Sequence, residues 1–359
     1  MKKLLLLLLS LLLFCACNGQ VEDKRETHLK NVRQLTFGGL HYSATIDPDS
    51  RYVVYAARDA KGAFGSYGHA CKQLYRLFLN ETNEFPRLVS NRFGTFQSAS
   101  FIHEGHKLVT STNLRNFEPL ENTSPIRTCF GWPDDERENA DANFDVWHLD
   151  VNRGYRPYPL TRNKRDFSSV QVAASPHQQV VFVMWEKDGG RQLRLMNTTG
   201  RLELVPLAEE FETVANPAFS PNGELLAFFG QPAKTDENAT KEEAGIFLLS
   251  MQNYSEITRA TPLGTHWKDA SFHHNGQRLF VSDGQTISYL DVGRQYLDRV
   301  TFLGHNSAPV MSPDGRFFVW TSTRNSTHGE NNLFVAEWVE VPPEQKSWFQ
   351  DVMKLASRA

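Results

Sequence analysis

The sequence predicts an all-β protein, a six-bladed β-propeller with four antiparallel strands in each blade. A turn of the Ser-Pro-Asp-Gly type, flanked by two apolar strands, recurs six times, and such a period is typical of stacked repeats. Two further short strands of alternating pattern follow each turn. The last unit lacks its fourth strand, whereas an isolated strand of that kind lies at 31–39, ahead of the first unit.

The repeated turn is clearest at 308–324, which reads APVMSPDGRFFVWTSTR. Three of the six copies keep Ser-Pro, and the others keep only the flanking apolar strands. Asp-Gly and Asn-Gly pairs supply the positive φ that a tight hairpin requires, so each copy predicts the first hairpin of a blade. The other copies begin at Ser43, Ser98, Val170, Asn216 and Lys268.

Alternating strands follow each hairpin and complete the predicted blades. The third strands read QLYRLFLN, FDVWHLDV, RQLRLMNT, GIFLLSMQ, TISYLDVG and NLFVAEWV, and the fourth include RPYPLTR and DRVTFL. The phenylalanines that alternate along the strands are predicted to pack between blades. They are Phe101, Phe182, Phe219, Phe228, Phe272 and Phe318.

The strand at 31–39 is predicted to close the ring by pairing with 333–339, which removes the exposed sheet edges of an open chain of blades. The propeller would then span 31–340. The remaining segment, 341–359, contains EQKSWFQDVMKLASR and is predicted to form a short helix against the propeller. A docking peptide is the alternative for this extension.

The N-terminus resembles a bacterial lipoprotein signal. Lys2 and Lys3 precede an apolar run at 4–14, too short for a comfortable transmembrane helix, and Phe14-Cys15-Ala16-Cys17 follows. Residues 1–16 are therefore predicted to be a signal peptide, Cys17 the lipidated residue, and 17–30 a polar tether. An ordinary cleaved signal with an incidental cysteine is the alternative. Asn18 is not the Asp that favours inner-membrane retention, so we expect an outer-membrane lipoprotein facing the periplasm.

Composition agrees with a secreted globular chain. Apolar residues make up 40 %, and the formal net charge of -3 provides no basic stripe for nucleic acid. We expect a monomer. Cys71 and Cys129 lie in equivalent connections of adjacent predicted blades, and an oxidising compartment would allow a disulfide between them. Two unrelated free thiols are the alternative.

The SPDG, SPNG and QLTF segments resemble the propeller repeats of the TolB family over about 31–340. The family's repeats also occur in the propellers of prolyl-oligopeptidase-type peptidases. The resemblance implies a six-bladed propeller of the bacterial cell envelope. TolB carries an α/β domain before its propeller, whereas here only the short predicted tether precedes the first strand. A stand-alone TolB-like lipoprotein is therefore the expectation, and the fold alone says little about function.

The sequence lacks the motifs of a serine hydrolase. It contains no Gly-x-Ser-x-Gly elbow, and no hydrolase domain fits after residue 340. We therefore predict that the chain is not an enzyme. His103 and His106 lack the helical i, i+4 spacing of a zinc motif, and His273 and His274 occupy the same turn in another blade, so turn residues are favoured over ligands at both places.

An acidic stretch offers the oxygen donors that calcium prefers, but it lacks the fixed Asp-x-Asp-x-Asp-Gly spacing of a calcium loop. We favour a solvated loop and predict no cofactor, with calcium as the alternative. The acidic residues are Asp134, Asp135, Glu136, Glu138, Asp141 and Asp145.

Two functions remain after these considerations. The first is a non-catalytic protein-interaction module that binds an envelope protein or peptidoglycan-associated partner. The second is an envelope enzyme, a carbohydrate lyase or a hydrolase, with its site in the propeller channel. The long connections between second and third strands share one face, where propellers usually carry recognition, and 113–143 is the central one. The partner-binding candidates are Phe130, Trp132, Asp134, Asp135 and Trp267.

Overall fold

The computed structural model describes residues 21–341, except 39, 59–71, 82–84, 91–93, 103–105, 115–143, 153–156, 164–166, 187–189, 199–204, 234–242, 295 and 327–328. Within these ranges the chain forms 24 strands in six four-stranded antiparallel sheets, which confirms the predicted propeller. The described residues include no helix that is long and apolar enough to cross a bilayer.

Each sheet is one blade, and in blades 1 to 5 the strands follow one another in chain order. Blade 1 contains β2 (Leu40–Ile46), β3 (Tyr52–Arg58), β4 (Gln73–Phe78) and β5 (Arg87–Leu88). Blade 2 contains β6 (Phe96–Phe101), β7 (Lys107–Thr112), β8 (Asp145–Asp150) and β9 (Tyr158–Pro159). Blade 3 contains β10 (Phe167–Ala174), β11 (Gln179–Glu186), β12 (Arg191–Asn197) and β13 (Val205–Leu207).

The second half of the ring repeats this order. Blade 4 contains β14 (Phe211–Phe219), β15 (Leu225–Pro232), β16 (Gly245–Ser250) and β17 (Ile257–Arg259). Blade 5 contains β18 (Asp269–Phe272), β19 (Arg278–Ser282), β20 (Ile287–Asp291) and β21 (Tyr296–Arg299). Blade 6 contains β22 (Asn306–Met311), β23 (Phe317–Ser322), β24 (Asn332–Trp338) and β1 (Leu29–Gln34).

Blade 6 shows how the ring closes. Strand β1 pairs antiparallel with β24, with Leu29 opposite Trp338 and Gln34 opposite Phe334. The predicted closure is confirmed, although the strand begins at Leu29 and ends at Gln34 instead of spanning 31–39. The first strands of neighbouring blades contact one another around the ring, so they line the central channel.

The repeated turns join the first two strands of the blades. In the five blades whose turns the structure describes, the fourth turn residue has positive φ, as the Asp-Gly and Asn-Gly pairs predict. The first turn residue closes each turn through its carbonyl oxygen, as Ser312 does with the N–H of Gly315 at 2.8 Å. The positive-φ residues are Ser50, Gln178, Gly223, Gly276 and Gly315.

The hydrophobic core is divided among the blade interfaces. Six clusters of buried residues occur in the described part of the chain, one between each pair of adjacent blades. The six alternating phenylalanines lie in or against these clusters, so their predicted packing between blades is confirmed. Burying both faces of every sheet against its neighbours stabilises the ring as a whole.

Residues 21–28 precede the closing strand and dock on blades 5 and 6. Arg324 Nη2 and Nη1 donate to the two oxygens of the Glu26 carboxylate at 2.8 and 3.0 Å, and both side chains are buried. His28 Nε2 lies 2.9 Å from Asp298 Oδ2, and its ring stacks on Trp338. The interval expected to be a polar tether therefore contains packed residues, whereas 17–20 lie outside the described part.

Candidate binding site at the channel mouth

Backbone bulges shape the inner wall of the channel. The pairing of the first two strands shifts register in five of the six described sheets, and the shifts coincide with channel-lining residues. Ser43, Asn216 and Ala308 lie at three of these bulges with φ of 42°, 52° and 49°. Positive φ in a residue other than glycine costs free energy and is concentrated at functional sites, so this wall is a candidate binding site.

A cavity of about 530 Å³ opens between the bulged strands. Lys72 and Trp185 also line it; the first precedes β4 and the second lies near the end of β11. In each blade the second strand ends and the third strand begins on the same face of the ring. This face also carries the connections from one blade to the next. The cavity is therefore the mouth of the channel on that face.

A belt of hydrogen-bonded side chains crosses this mouth between blades 3, 4 and 5. The Asn216 N–H donates to Gln171 Oε1 at 2.8 Å, and Gln171 Nε2 donates back to Asn216 Oδ1 at 2.5 Å. Asn216 Nδ2 donates in turn to Asp269 Oδ1 and to the Lys268 carbonyl oxygen. On the opposite side, Lys72 Nζ donates to Gln97 Oε1 at 2.9 Å. These contacts hold the polar side chains in fixed positions around the cavity.

Asp269 is the carboxylate of the belt. Burial raises the pKa of its carboxyl, and the backbone N–H of Ala308, the charge of Lys268 and the Asn216 amide oppose this shift. A carboxyl with a raised pKa, held by amides in a cavity, is suited to exchanging a proton with a bound molecule.

Trp185 supplies an aromatic surface at the edge of the cavity. Its side chain is 39 % exposed, and the Arg191 guanidinium carbon lies 4.4 Å from its ring centroid. A half-exposed indole beside amides is a suitable contact for a peptide or a sugar ring, because it offers apolar area with little conformational entropy to lose.

The predicted site residues fall mostly outside this part of the structure. Trp267 is 8 % exposed and packs in the core between blades 4 and 5, which leaves little of its surface for a partner. Asp145, the last residue of the acidic stretch, is buried in β8 and accepts hydrogen bonds from Thr161 and the N–H of Asn163. The other predicted residues lie outside the described ranges: Cys17, Cys71, Cys129, Phe130, Trp132, Asp134, Asp135, Glu136, Glu138 and Asp141.

Sequence analysis missed the belt, although a signal for it was present. Gln171, Asn216 and Asp269 each lie at or next to the first residue of a repeat copy, four positions before the turn. Aligning the copies on their turns would have shown a polar side chain at this position in the third, fourth and fifth copies, whereas the sixth has Ala308. Because the first strands line the channel, side chains at that position face the cavity.

Comparison with known proteins shows a likeness of fold. No protein-family model matches the sequence, and no curated protein matches it. Among solved structures, TolB from Acinetobacter baumannii aligns with a TM-score of 0.55 and 14 % identity over 81 % of this chain. The alignment spans 64 % of that TolB, less than two thirds of its length. The described ring is therefore a TolB-like propeller in its fold.

Two enzymes align equally well. A gluconolactonase from Xanthomonas campestris has a TM-score of 0.58 and 10 % identity, over 89 % of this chain and 95 % of its own. An oligogalacturonate lyase from Vibrio parahaemolyticus has a TM-score of 0.53 and 13 % identity, over 92 % and 97 %. At these identities the likeness extends to the fold alone.

These structures correct one prediction. The expectation that the chain is not an enzyme was wrong, because it relied on the absence of a hydrolase elbow and a hydrolase domain, whereas structures with the same fold include a lactonase and a lyase. The physical reason is that a propeller assembles its site from separate blades. Such a site leaves no contiguous motif in the sequence.

Proposed function

We propose that this chain is a lipid-anchored protein of the bacterial cell envelope that recognises a partner through the mouth of its channel. The observation that carries the proposal is the belt of amides beside the exposed indole of Trp185. The partner class is an envelope protein or a peptidoglycan-associated protein. The TolB-like fold and the lipoprotein-like N-terminus support the envelope location.

The chemistry of the mouth suits a peptide segment. Gln97, Gln171 and Asn216 present groups that both donate and accept hydrogen bonds, as the main chain of a bound peptide requires. The belt fixes these groups before binding, so little side-chain entropy is lost when a partner docks. Lys72 adds a positive charge, which would orient the segment.

The connection between β7 and β8 extends the proposed surface. Thr112 and Asp145 pair across the two strands, so the connection begins and ends on the face where the channel opens. Phe130, Trp132, Asp134 and Asp135 belong to this connection and remain our candidates for the rim of the interface.

An enzyme that acts on a carbohydrate or a related small substrate is the second candidate. Asp269 favours it, since burial raises the pKa of this carboxyl inside a cavity lined by amides. In this case Asp269 would act as the general acid or base, and Asn216 would position it.

Pull-down experiments from envelope extracts test the recognition proposal. Trp185→Ala should reduce recovery of the partner, and Tyr254→Ala is the matched control because Tyr254 is similarly exposed, at 37 % against 39 %. Trp132→Ala and a shortened 115–140 segment test the rim in the same way. Equal recovery by wild-type protein and all three channel-face variants would exclude recognition at this face.

Asp269→Asn separates the two candidates. The variant keeps the size and hydrogen-bonding shape of the side chain, so partner recovery should be retained. An activity on oligosaccharides or sugar lactones that disappears in Asp269→Asn would establish the enzyme. If the wild-type chain turns over none of them, the second candidate is rejected.

A further inference from the structure

Two histidines and one glutamate meet at the edge of the ring opposite the channel mouth. His273 and His274 are the first two residues of the turn in blade 5, and Glu340 follows β24 of blade 6. One ligand atom from each, an imidazole nitrogen or a carboxylate oxygen, lies within 4.8 Å of the other two. The cluster is separate from the cavity described above.

His273 is unusual at its position. The corresponding residues in blades 3, 4 and 6 are Ser175, Ser220 and Ser312. Each serine hydroxyl oxygen accepts a hydrogen bond from the backbone N–H of the residue that begins the second strand. A short polar side chain is therefore sufficient to close this turn. The larger imidazole of His273 needs a separate explanation.

The outer nitrogen of that imidazole is buried and aimed at the cluster. His273 is 0 % exposed, and Asn275 lies beside its Nδ1. Its Nε2 is 2.8 Å from Glu340 Oε1, yet it makes no hydrogen bond of acceptable geometry with any described residue. A buried ring nitrogen of this kind requires a partner, and a metal ion is one that the neighbouring side chains can share.

The other two ligands are exposed, and each contacts a defined neighbour. A Cβ on Gly315 would lie 2.5 Å from His274 Cδ2, so the His274 ring packs directly on this glycine. Arg278 Nη1 lies 3.1 Å from Glu340 Oε2 and leaves Oε1 facing His273. Asp291 lies 3.3 Å from Arg278 Nε and offsets the positive charge of Arg278.

We propose that His273 Nε2, a ring nitrogen of His274 and Glu340 Oε1 bind a divalent transition-metal ion of the zinc class. Two imidazoles and one carboxylate are a zinc ligand set, with water in the fourth position. Tetrahedral bonds of about 2.0–2.1 Å place ligand atoms about 3.4 Å apart. Small rotations of His274 and of Glu340, which is 51 % exposed, bring the three donors to this separation.

The ion would join blade 5 to the sheet that closes the ring. Glu340 follows β24, and β24 pairs with the N-terminal strand β1. A bond from the blade 5 turn to Glu340 would therefore fix the end of the closing sheet against its neighbour. The expected consequence is that zinc stabilises the folded ring.

The test uses full-length protein, purified in detergent and stripped of metal with a chelator. Zn²⁺ should bind this site once per chain and raise the Tm by about 4 °C at saturating concentration, whereas Mg²⁺ should leave the Tm unchanged. Co²⁺ should give the intense visible absorption of a tetrahedral site with nitrogen and oxygen ligands. His273→Ser places at this position the residue that the turns of blades 3, 4 and 6 use, so the variant should fold.

His273→Ser and Glu340→Gln should lose one bound Zn²⁺, the Tm rise and the Co²⁺ absorption. His305→Gln is the control, because His305 is exposed and lies outside the cluster. A site elsewhere in the chain would leave all three measurements unchanged in His273→Ser and would overturn the proposal. If the wild type itself binds no Zn²⁺, the proposal is likewise overturned, and His273 and Glu340 form a metal-independent ion pair.

Discussion

The buried ion pair of Glu26 and Arg324 illustrates how single residues fix the ring. Both side chains are about 1 % exposed, and Arg324 lies over the rings of Trp320 and Phe334. Glu26 Oε1 also accepts the N–H of Phe302 at 2.7 Å. The pair therefore joins the N-terminal segment to blades 5 and 6, and loss of either partner leaves the other charge buried.

We expect Glu26→Ala and Arg324→Ala each to lower the free energy of unfolding by about 3 kcal/mol, because each strands a buried charge. The double variant should lose clearly less than the sum, since no unpaired charge remains. Urea unfolding of the four proteins measures the coupling. Strict additivity would show that the pair acts through packing alone.

The pH dependence of stability tests the environment of Asp269. Burial raises its pKa above the ordinary value of 3.8. A group with a raised folded pKa contributes stability that is present below the unfolded pKa and is lost as pH rises through the folded value.

As the pH rises from about 4 to 7.5, the wild type should therefore lose unfolding free energy relative to Asp269→Asn, which does not titrate. The expected loss is about 1.4 kcal/mol per unit by which the pKa of Asp269 is raised. Denaturant titrations at several pH values give this difference. A shift in favour of the wild type would mean that the belt lowers the pKa instead.

Among the elements, the turns between first and second strands also connect neighbouring blades. The glycine of one turn packs under a side chain of the preceding one: Gly223 under His177, and Gly315 under His274. Glycine at this position thus meets two requirements. It adopts the positive φ that the turn needs, and it leaves room for the side chain of the neighbouring blade's turn.

Gly315→Ala and Gly264→Ala form a matched pair that separates these requirements. The two glycines have φ of +74° and +73°, but a Cβ on Gly264 meets nothing within 4 Å. We expect Gly264→Ala to cost about 1 kcal/mol from backbone conformation alone, and Gly315→Ala to cost about 1–2 kcal/mol more from the clash with His274. Thermal unfolding compares them; equal losses would rule out a role for the inter-blade contact.

At the scale of the whole molecule, the closing strand converts six separate sheets into a ring. Each blade buries apolar residues against both neighbours, so blade 6 without β1 would expose an edge of β24 and part of its cluster with blade 5. Such an edge invites pairing with another chain.

Deletion of 29–34 should therefore lower the Tm sharply and promote aggregation. The physical reason is the combined loss of the β1–β24 pairing and of the buried Leu29 and Val32. Differential scanning calorimetry with light scattering measures both effects. An unchanged Tm would mean that the ring is held closed without this strand.

The sequence by itself determined the fold class, the number of blades and the closing strand. Alternation along strands and the chemistry of tight turns are local properties, so APVMSPDGRFFVW specifies a hairpin whatever surrounds it. Closure followed from counting strands, since one blade lacked a partner that the N-terminus could supply. The alternating phenylalanines identified the packed faces for the same local reason.

Only the tertiary structure decided which polar residues meet. Gln171 and Asn216 are 45 residues apart, and Asn216 and Asp269 are 53 apart. The bulges next to Gln171 and Asn216 leave no mark in the periodicity. His273 and Glu340 come together in the same way, from a turn of blade 5 and the end of the closing sheet. A propeller builds its sites across blades, so their chemistry depends on the ring being closed.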